Sequence, residues 1–342
     1  MISSNNLINT QSFRRLALLT VLSVLLLVFV GGVVRSTGAG MGCPDWPKCF
    51  GQWIPPTSVS ELPADYQQIY SHRGYANTEF NAVKTWIEYL NRLLGALIGL
   101  FIFATFITSA VVYWRQDRAI VGYSLISLLL VGFQGWLGAR VVASVLSTWL
   151  ITLHMLVAII IVGVLLYVVA RSQADRFATS RQTVPMAVNR WLLISSVLLL
   201  SQILLGTQVR ELIDTVADKL GEGQRHRWID ELGLRFYVHR SFSLVVLAAQ
   251  LFWIAPLHKR SVASPFLVKM LGRAVGLTIL VEIASGAVMA YFAIPAWAQP
   301  IHLTVAVLAL GIQFVTILVI NQDKLLKRPA QKLNQELVSA SS

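Results

Sequence analysis

Eight long apolar runs, separated by short segments that hold most of the charge, dominate the chain. They centre on Leu18 to Val34, Trp86 to Trp114, Ile120 to Ala139, Trp149 to Ala170, Trp191 to Val209, Phe236 to Ala255, Ala274 to Phe292 and Ile301 to Ile320. Each approaches or exceeds the ~20 residues that cross a bilayer. An isolated span must satisfy its backbone polar groups within itself, so each run is predicted to be a helix. Charged residues make up 13% of the chain and hydrophobic ones 56%, against about 25% charged in soluble domains. The pattern predicts an all-α integral membrane protein with eight transmembrane helices.

The net charge of +12 raises nucleic acid as a partner, but the basic residues are sorted by loop and form no single patch. With the N-terminus inside, sixteen Lys and Arg fall on the inner side and ten on the outer. That bias puts both termini in the cytoplasm and makes the charge a topology signal, with lipid as the surrounding partner and no nucleic acid. The first run has a basic flank and an apolar core of about 19 residues, with no small-residue cleavage site after it, so it is expected to stay as a span. No basic residue precedes Arg14, which argues against a mitochondrial presequence and for a bacterial inner membrane.

The spacing also contains a repeat. Gln134 and Glu282 each precede a histidine, His154 and His302, by 20 residues, and Gly138 and Gly286 precede the same histidines by 16. A constant offset of 148 relates these pairs and also carries Asn91-Arg92 onto His239-Arg240. GGVVR ending at Arg35 matches GTQVR ending at Arg210 at an offset of 175, the extra 27 residues lying in the long outer loop 36–85. The expected architecture is two tandem, pseudo-symmetric four-helix bundles in the same orientation. The N-terminal bundle would occupy 1–175 and the C-terminal bundle 176–322, with a polar cytoplasmic tail over 323–342.

Within this frame Asn91 and His154 lie about five residues into their spans, roughly 7 Å below the outer edge at 1.5 Å per residue. His239 and His302 lie near the outer ends of theirs. Each pair sits on two helices running the same way, so the side chains can meet across a bundle, where facing helices hold cofactors and neutral imidazole ligates haem iron. The His239 and His302 pair reads as a bis-histidine haem site, because a buried ionisable residue is costly. Interhelical hydrogen bonding is the competing reading.

Arg92 and Arg240 follow the Asn/His position, and Arg35 and Arg210 close the first span of each half. Their forked donors suit haem propionates, although snorkelling to lipid phosphate is open for Arg35 and Arg210. Glu88 shares a helix face with Asn91, and its repeat partner is Phe236, so this acid belongs to the first half alone. It reads as a proton donor or acceptor or as the i, i+4 partner of Arg92. Cys43 and Cys49, six apart between turn-forming prolines and glycines, could form a disulfide in an oxidising compartment, with a structural or a redox role. Zinc would need more ligands.

Together these stretches resemble the haem A synthase family. VVRSTGAGMGCPDWPKCFG, EYLNRLLGALIG, GFQGWLGARVV with His154, and FYVHR with His302 carry the likeness, which extends over roughly Arg14 to Ile320. The resemblance implies oxidation of the C8 methyl of haem O to a formyl group by successive oxygen-dependent hydroxylations, in haem A biosynthesis for terminal oxidases. It implies a haem b held by His239 and His302, with Arg240 and Arg210 near it. It further implies a haem O site at Glu88, Asn91 and His154, with Arg92 and Arg35 toward the substrate propionates and His154 on its iron. Haem O, molecular oxygen and an electron donor that the sequence does not identify are the implied partners, with a haem O synthase supplying substrate. Asn91 stands where most relatives have histidine. A di-haem electron-transfer cytochrome and a non-catalytic haem-handling assembly factor are the alternatives.

Overall fold

The computed structural model describes residues 4–177, 184–259 and 265–326. Among the described residues the protein is all-helical, and eight helices are long and apolar enough to cross a membrane. They are α1 (Ser4–Ser36), α2 (Ala82–Tyr113), α3 (Arg118–Ala143), α4 (Thr148–Ser172), α5 (Met186–Leu220), α6 (Gly233–Leu257), α7 (Phe266–Tyr291) and α8 (Ala298–Ile320). The chain is a multi-pass membrane protein, as its apolar runs predict.

Polar residues mark where several helices begin. Asn81 caps α2 by accepting from the Lys84 amide at 3.0 Å, and Asp117 caps α3 by accepting from Ala119 at 3.2 Å. Asp117 also receives the Arg171 guanidinium of α4 at 2.8 Å, a buried pair that ties two helix ends together. Gly221 stops α5 at φ +73° and ψ 166°, a region essentially limited to glycine.

Helices α1 to α4 pack on one another in a closed set, α1 against α2 and α4, and α3 against α2 and α4. Helices α5 to α8 repeat this order. The first set buries Phe13, Ala17, Ile98, Ile102, Ile120 and Leu165, and a hydroxyl pair, Thr20 with Thr105 at 2.9 Å, joins α1 to α2. The second set centres on Leu192, Trp253, Leu257 and Val275. The sets meet mainly along α8, which packs on α1 and α4. A Cβ on Gly32 would lie 2.9 Å from Pro300 Cβ, so only glycine permits this approach of α1 to α8.

The α3–α4 and α7–α8 connections also match. Val145 and Leu146 in one, and Ala293 and Ile294 in the other, all have positive φ, uncommon for residues with side chains. Both turns close with the same amide, Leu146 to Val141 O and Ile294 to Met289 O, each 3.0 Å. The offset is again 148, consistent with a tandem repeat.

Two regions differ from the sequence reading. Residues 211–220, read as outer loop, continue α5, because Val209, Ile213 and Val216 form a stripe at helical spacing that is buried against Trp228, Leu232 and Ile294. The expected tail over 323–342 begins with a short helix, Gln322–Leu325, and its remainder from 327 lies outside the described residues.

Candidate functional site

Glu88 lies on α2 and is 4% exposed. One carboxylate oxygen accepts the Cys43 amide at 2.8 Å, and the other is paired with Arg92 one turn along the helix. Arg92 then donates to three backbone carbonyls of the loop above, Asp45 at 2.6 Å, Cys43 at 3.0 Å and Lys48 at 3.1 Å. The structure thus directs this guanidinium into the Cys43–Cys49 loop and the Glu88 carboxylate.

That loop is a folded cap. Cys43 and Cys49 form a disulfide and both are fully buried. Asp45 accepts from the amides of Phe50 at 2.6 Å and Gly51 at 2.8 Å. Phe50 is ringed edge-on by Tyr66, Tyr70, Tyr75 and Phe80. The cap sits directly on α2: Thr85 Oγ1 donates to Gly42 O at 2.8 Å, and a Cβ on Gly42 would come 2.4 Å from Lys84 O. Tyr75 donates to Met41 O. Burial, and then the nearby Glu88 charge, push its phenol above the usual tyrosine range.

The histidines occupy matching niches. His154 lies with Cε1 3.4 Å from where a Cβ of Gly138 would be, His239 with Cε1 3.3 Å from that of Gly206, and His302 with Cε1 3.6 Å from that of Gly286. Glycine on the neighbouring helix therefore lets each imidazole lie close between helices. Gln134 donates to His154 O at 2.8 Å and Gln202 to His239 O at 3.0 Å, fixing the backbone at both rings. Nδ1 of His154, Nδ1 of His239 and Oδ1 of Asn91 are buried without a hydrogen-bond partner among the described residues. His302 differs, since its Nδ1 contacts Ser285 Oγ at 2.9 Å and Glu282 Oε2 at 3.1 Å.

The arginines divide. Arg35 pairs with Asp214 at 2.7 Å, and Arg210 pairs with the same carboxylate while donating to Arg35 O at 3.1 Å, so one acid bridges equivalent arginines of the two halves. Thr148 Oγ1 donating to Glu211 at 2.9 Å adds a second link between the halves. Arg240 is exposed and meets Tyr291, by a hydrogen bond of 3.3 Å and over its ring. Sequence reasoning missed Asp214, Gln202 and Ser285. The i, i+4 spacing of Asp214 from Arg210 was a readable signal, whereas Gln202 and Ser285 carry none outside the packed helices.

Residues 14–314 match the model of the cytochrome oxidase assembly protein family, COX15-CtaA. A heme A synthase from Methylobacterium radiotolerans is 28% identical over 319 residues, 84% of each chain. One from Shewanella oneidensis is 27% identical over 192 residues, 55% of this chain and 54% of its own, and one from Granulibacter bethesdensis is 31% identical over 158 residues, 42% and 41%. In the latter two the match thus spans about half the relative's length. With a family match across nearly all the transmembrane region, this chain belongs to the COX15-CtaA family of cytochrome oxidase assembly proteins, whose curated relatives include heme A synthases.

Proposed function

We propose that the protein is a haem A synthase that oxidises the C8 methyl of haem O to a formyl group by successive oxygen-dependent hydroxylations. It would work in a bacterial inner membrane with both termini in the cytoplasm, each bundle forming one domain. The first half takes haem O through His154, and the second retains a haem b between His239 and His302.

One observation carries the reading: a buried acid, Glu88, lies on the same helix face as Asn91 in the first half only. Glu88 can hold or pass a proton at its carboxylate, and the cap fastened over it by Arg92 keeps that carboxylate buried. Asn91 is a poor iron ligand, so its side chain leaves one face of the substrate open or hydrogen-bonds what binds there.

The residues of the second half fit a haem b. This half carries imidazoles on two helices, His239 on α6 and His302 on α8, the buried His239 Nδ1 can carry the ring proton and leave Nε2 for iron, and Gly206 and Gly286 make room for the rings. Haem b would supply one-electron chemistry there, and Arg240, exposed and in contact with Tyr291, is available to its propionates. Arg35 toward the haem O propionates and Arg210 toward those of haem b would each act while sharing the Asp214 carboxylate.

The test is turnover by the purified protein supplied with haem O, oxygen and a reductant, followed by pigment extraction. The formyl product is expected, and its absence while both haem sites are filled overturns the reading. A non-catalytic haem-handling role is the second reading, favoured by Asn91 alone; it predicts bound haem O returned unchanged.

A further inference from the structure

We propose that Glu282 and Ser285 form a clamp on the Nδ1 edge of His302 that fixes this imidazole for iron and makes the second-half haem the retained one. The inference rests on the assignment of His302 to the haem b site. The Glu282 carbonyl, 3.1 Å from Ser285 Oγ and one turn back on α7, can take the hydroxyl's single proton. With the proton there, the Ser285 lone pairs face His302 Nδ1 at 2.9 Å, and Glu282 Oε2 stands 3.1 Å from the same atom, so that both can accept from it. Two acceptors keep the ring proton on Nδ1 and leave the Nε2 lone pair for a metal.

The first half has the same scaffold without the clamp. The positions 148 residues earlier are Gln134 and Leu137. Gln134 spends its amide on the His154 carbonyl, Leu137 is buried in the core, and His154 Nδ1 has no partner. His154, like His239, is therefore held at its backbone while its ring is not tied, so the second half has one clamped imidazole and the first half has none. In the second half the tie falls on α8, the helix that also joins the two sets, so Glu282 and Ser285 are positioning residues acting through His302.

The test uses the full-length protein purified in detergent from haem-producing cells. Two readouts are the rate of haem transfer to excess apomyoglobin and the midpoint potential of the low-spin haem. Removing both acceptors with Glu282→Met and Ser285→Ala is expected to speed haem loss about 10-fold or more, the usual effect of losing outer partners of a metal-bound histidine. The potential should rise, because an imidazole without Nδ1 acceptors is a weaker electron donor. Glu282→Gln and Ser285→Thr, which keep an acceptor, should restore parental behaviour; should the double variant not fold, Ser285→Ala alone carries the same expectations. Parental transfer rate and potential in the acceptor-free variants, with low-spin haem lost in His302→Ala, overturn the clamp and leave the site standing. Low-spin haem retained in full by His302→Ala overturns the site assignment and the clamp with it.

Discussion

In the first half of the molecule one buried carboxylate is on α2, where Glu88 is tied to Arg92 and to the disulfide cap. In the second half the equivalent position is Phe236, and the carboxylate is on α7, where Glu282 is tied to the imidazole of His302. The helices, the glycine niches and the connecting turns correspond, so the difference lies in where one acid has been put. An acid beside a cap can move a proton at a substrate, whereas an acid beside a ligand fixes that ligand. The caps differ in the same sense. The first is cross-linked and seated on α2, while the second is the extended α5 under Trp228, with Arg225 bound to the Ala293 and Ile294 carbonyls at 3.0 and 2.8 Å.

This comparison can be broken most sharply at Glu88. Glu88→Gln should lower haem A formation by roughly 100-fold or more while leaving both haems bound, the scale of a lost acid or base; formation at the parental rate would remove the reason for treating the halves differently. His154→Ala should lose the first-half haem altogether and Asn91→Ala should keep it, seen as two haems per chain falling to one in the first variant only. Equal loss in both would mean that Asn91 holds the substrate as firmly as a ligand.

Two further changes address the cap. Arg92→Ala leaves the Glu88 carboxylate buried without its cation, and about 3 kcal/mol of stability should be lost, measured by thermal unfolding in detergent. Replacing Cys43 and Cys49 together by serine should cost about 2 kcal/mol, as expected for so short a closed loop, with unfolding again the measure. The smallest effect belongs to Asp214→Asn. Asp214 is 43% exposed, so solvent screens its two ion pairs and the loss should stay below about 1 kcal/mol. A larger change in thermal stability would show that the bridge between the halves is a main fastening.

Alkaline pH gives an independent check on the cap. The Tyr75 phenol is raised by burial and by Glu88, so its contribution should be intact below the ordinary tyrosine value of about 10 and fall as pH rises above it. Protection of the cap against proteolysis as a function of pH would follow this.

Much of this was legible before any coordinates. The eight helices followed from run length, since a membrane span has no other way to satisfy its backbone. The 148-residue offset reached the two histidine niches and the turns at Val145 and Ala293, which no motif announces. Glu88 and Arg92 were readable as an i, i+4 pair, but the three loop carbonyls that claim the same guanidinium were not, because they lie 44 to 49 residues away. The α5 extension escaped notice because its charged residues hide an apolar stripe with only three buried positions.

The sequence by itself determined the span count and the family and suggested which positions correspond between halves, since these depend on local composition and on spacing along one chain. Tertiary structure alone decided which partner each polar group takes: Arg92 to the cap, Asp214 to both Arg35 and Arg210, and Ser285 with Glu282 to His302. Such pairings depend on distances between helices and on which donors are already committed, and a buried polar group takes whichever partner packing brings within about 3 Å.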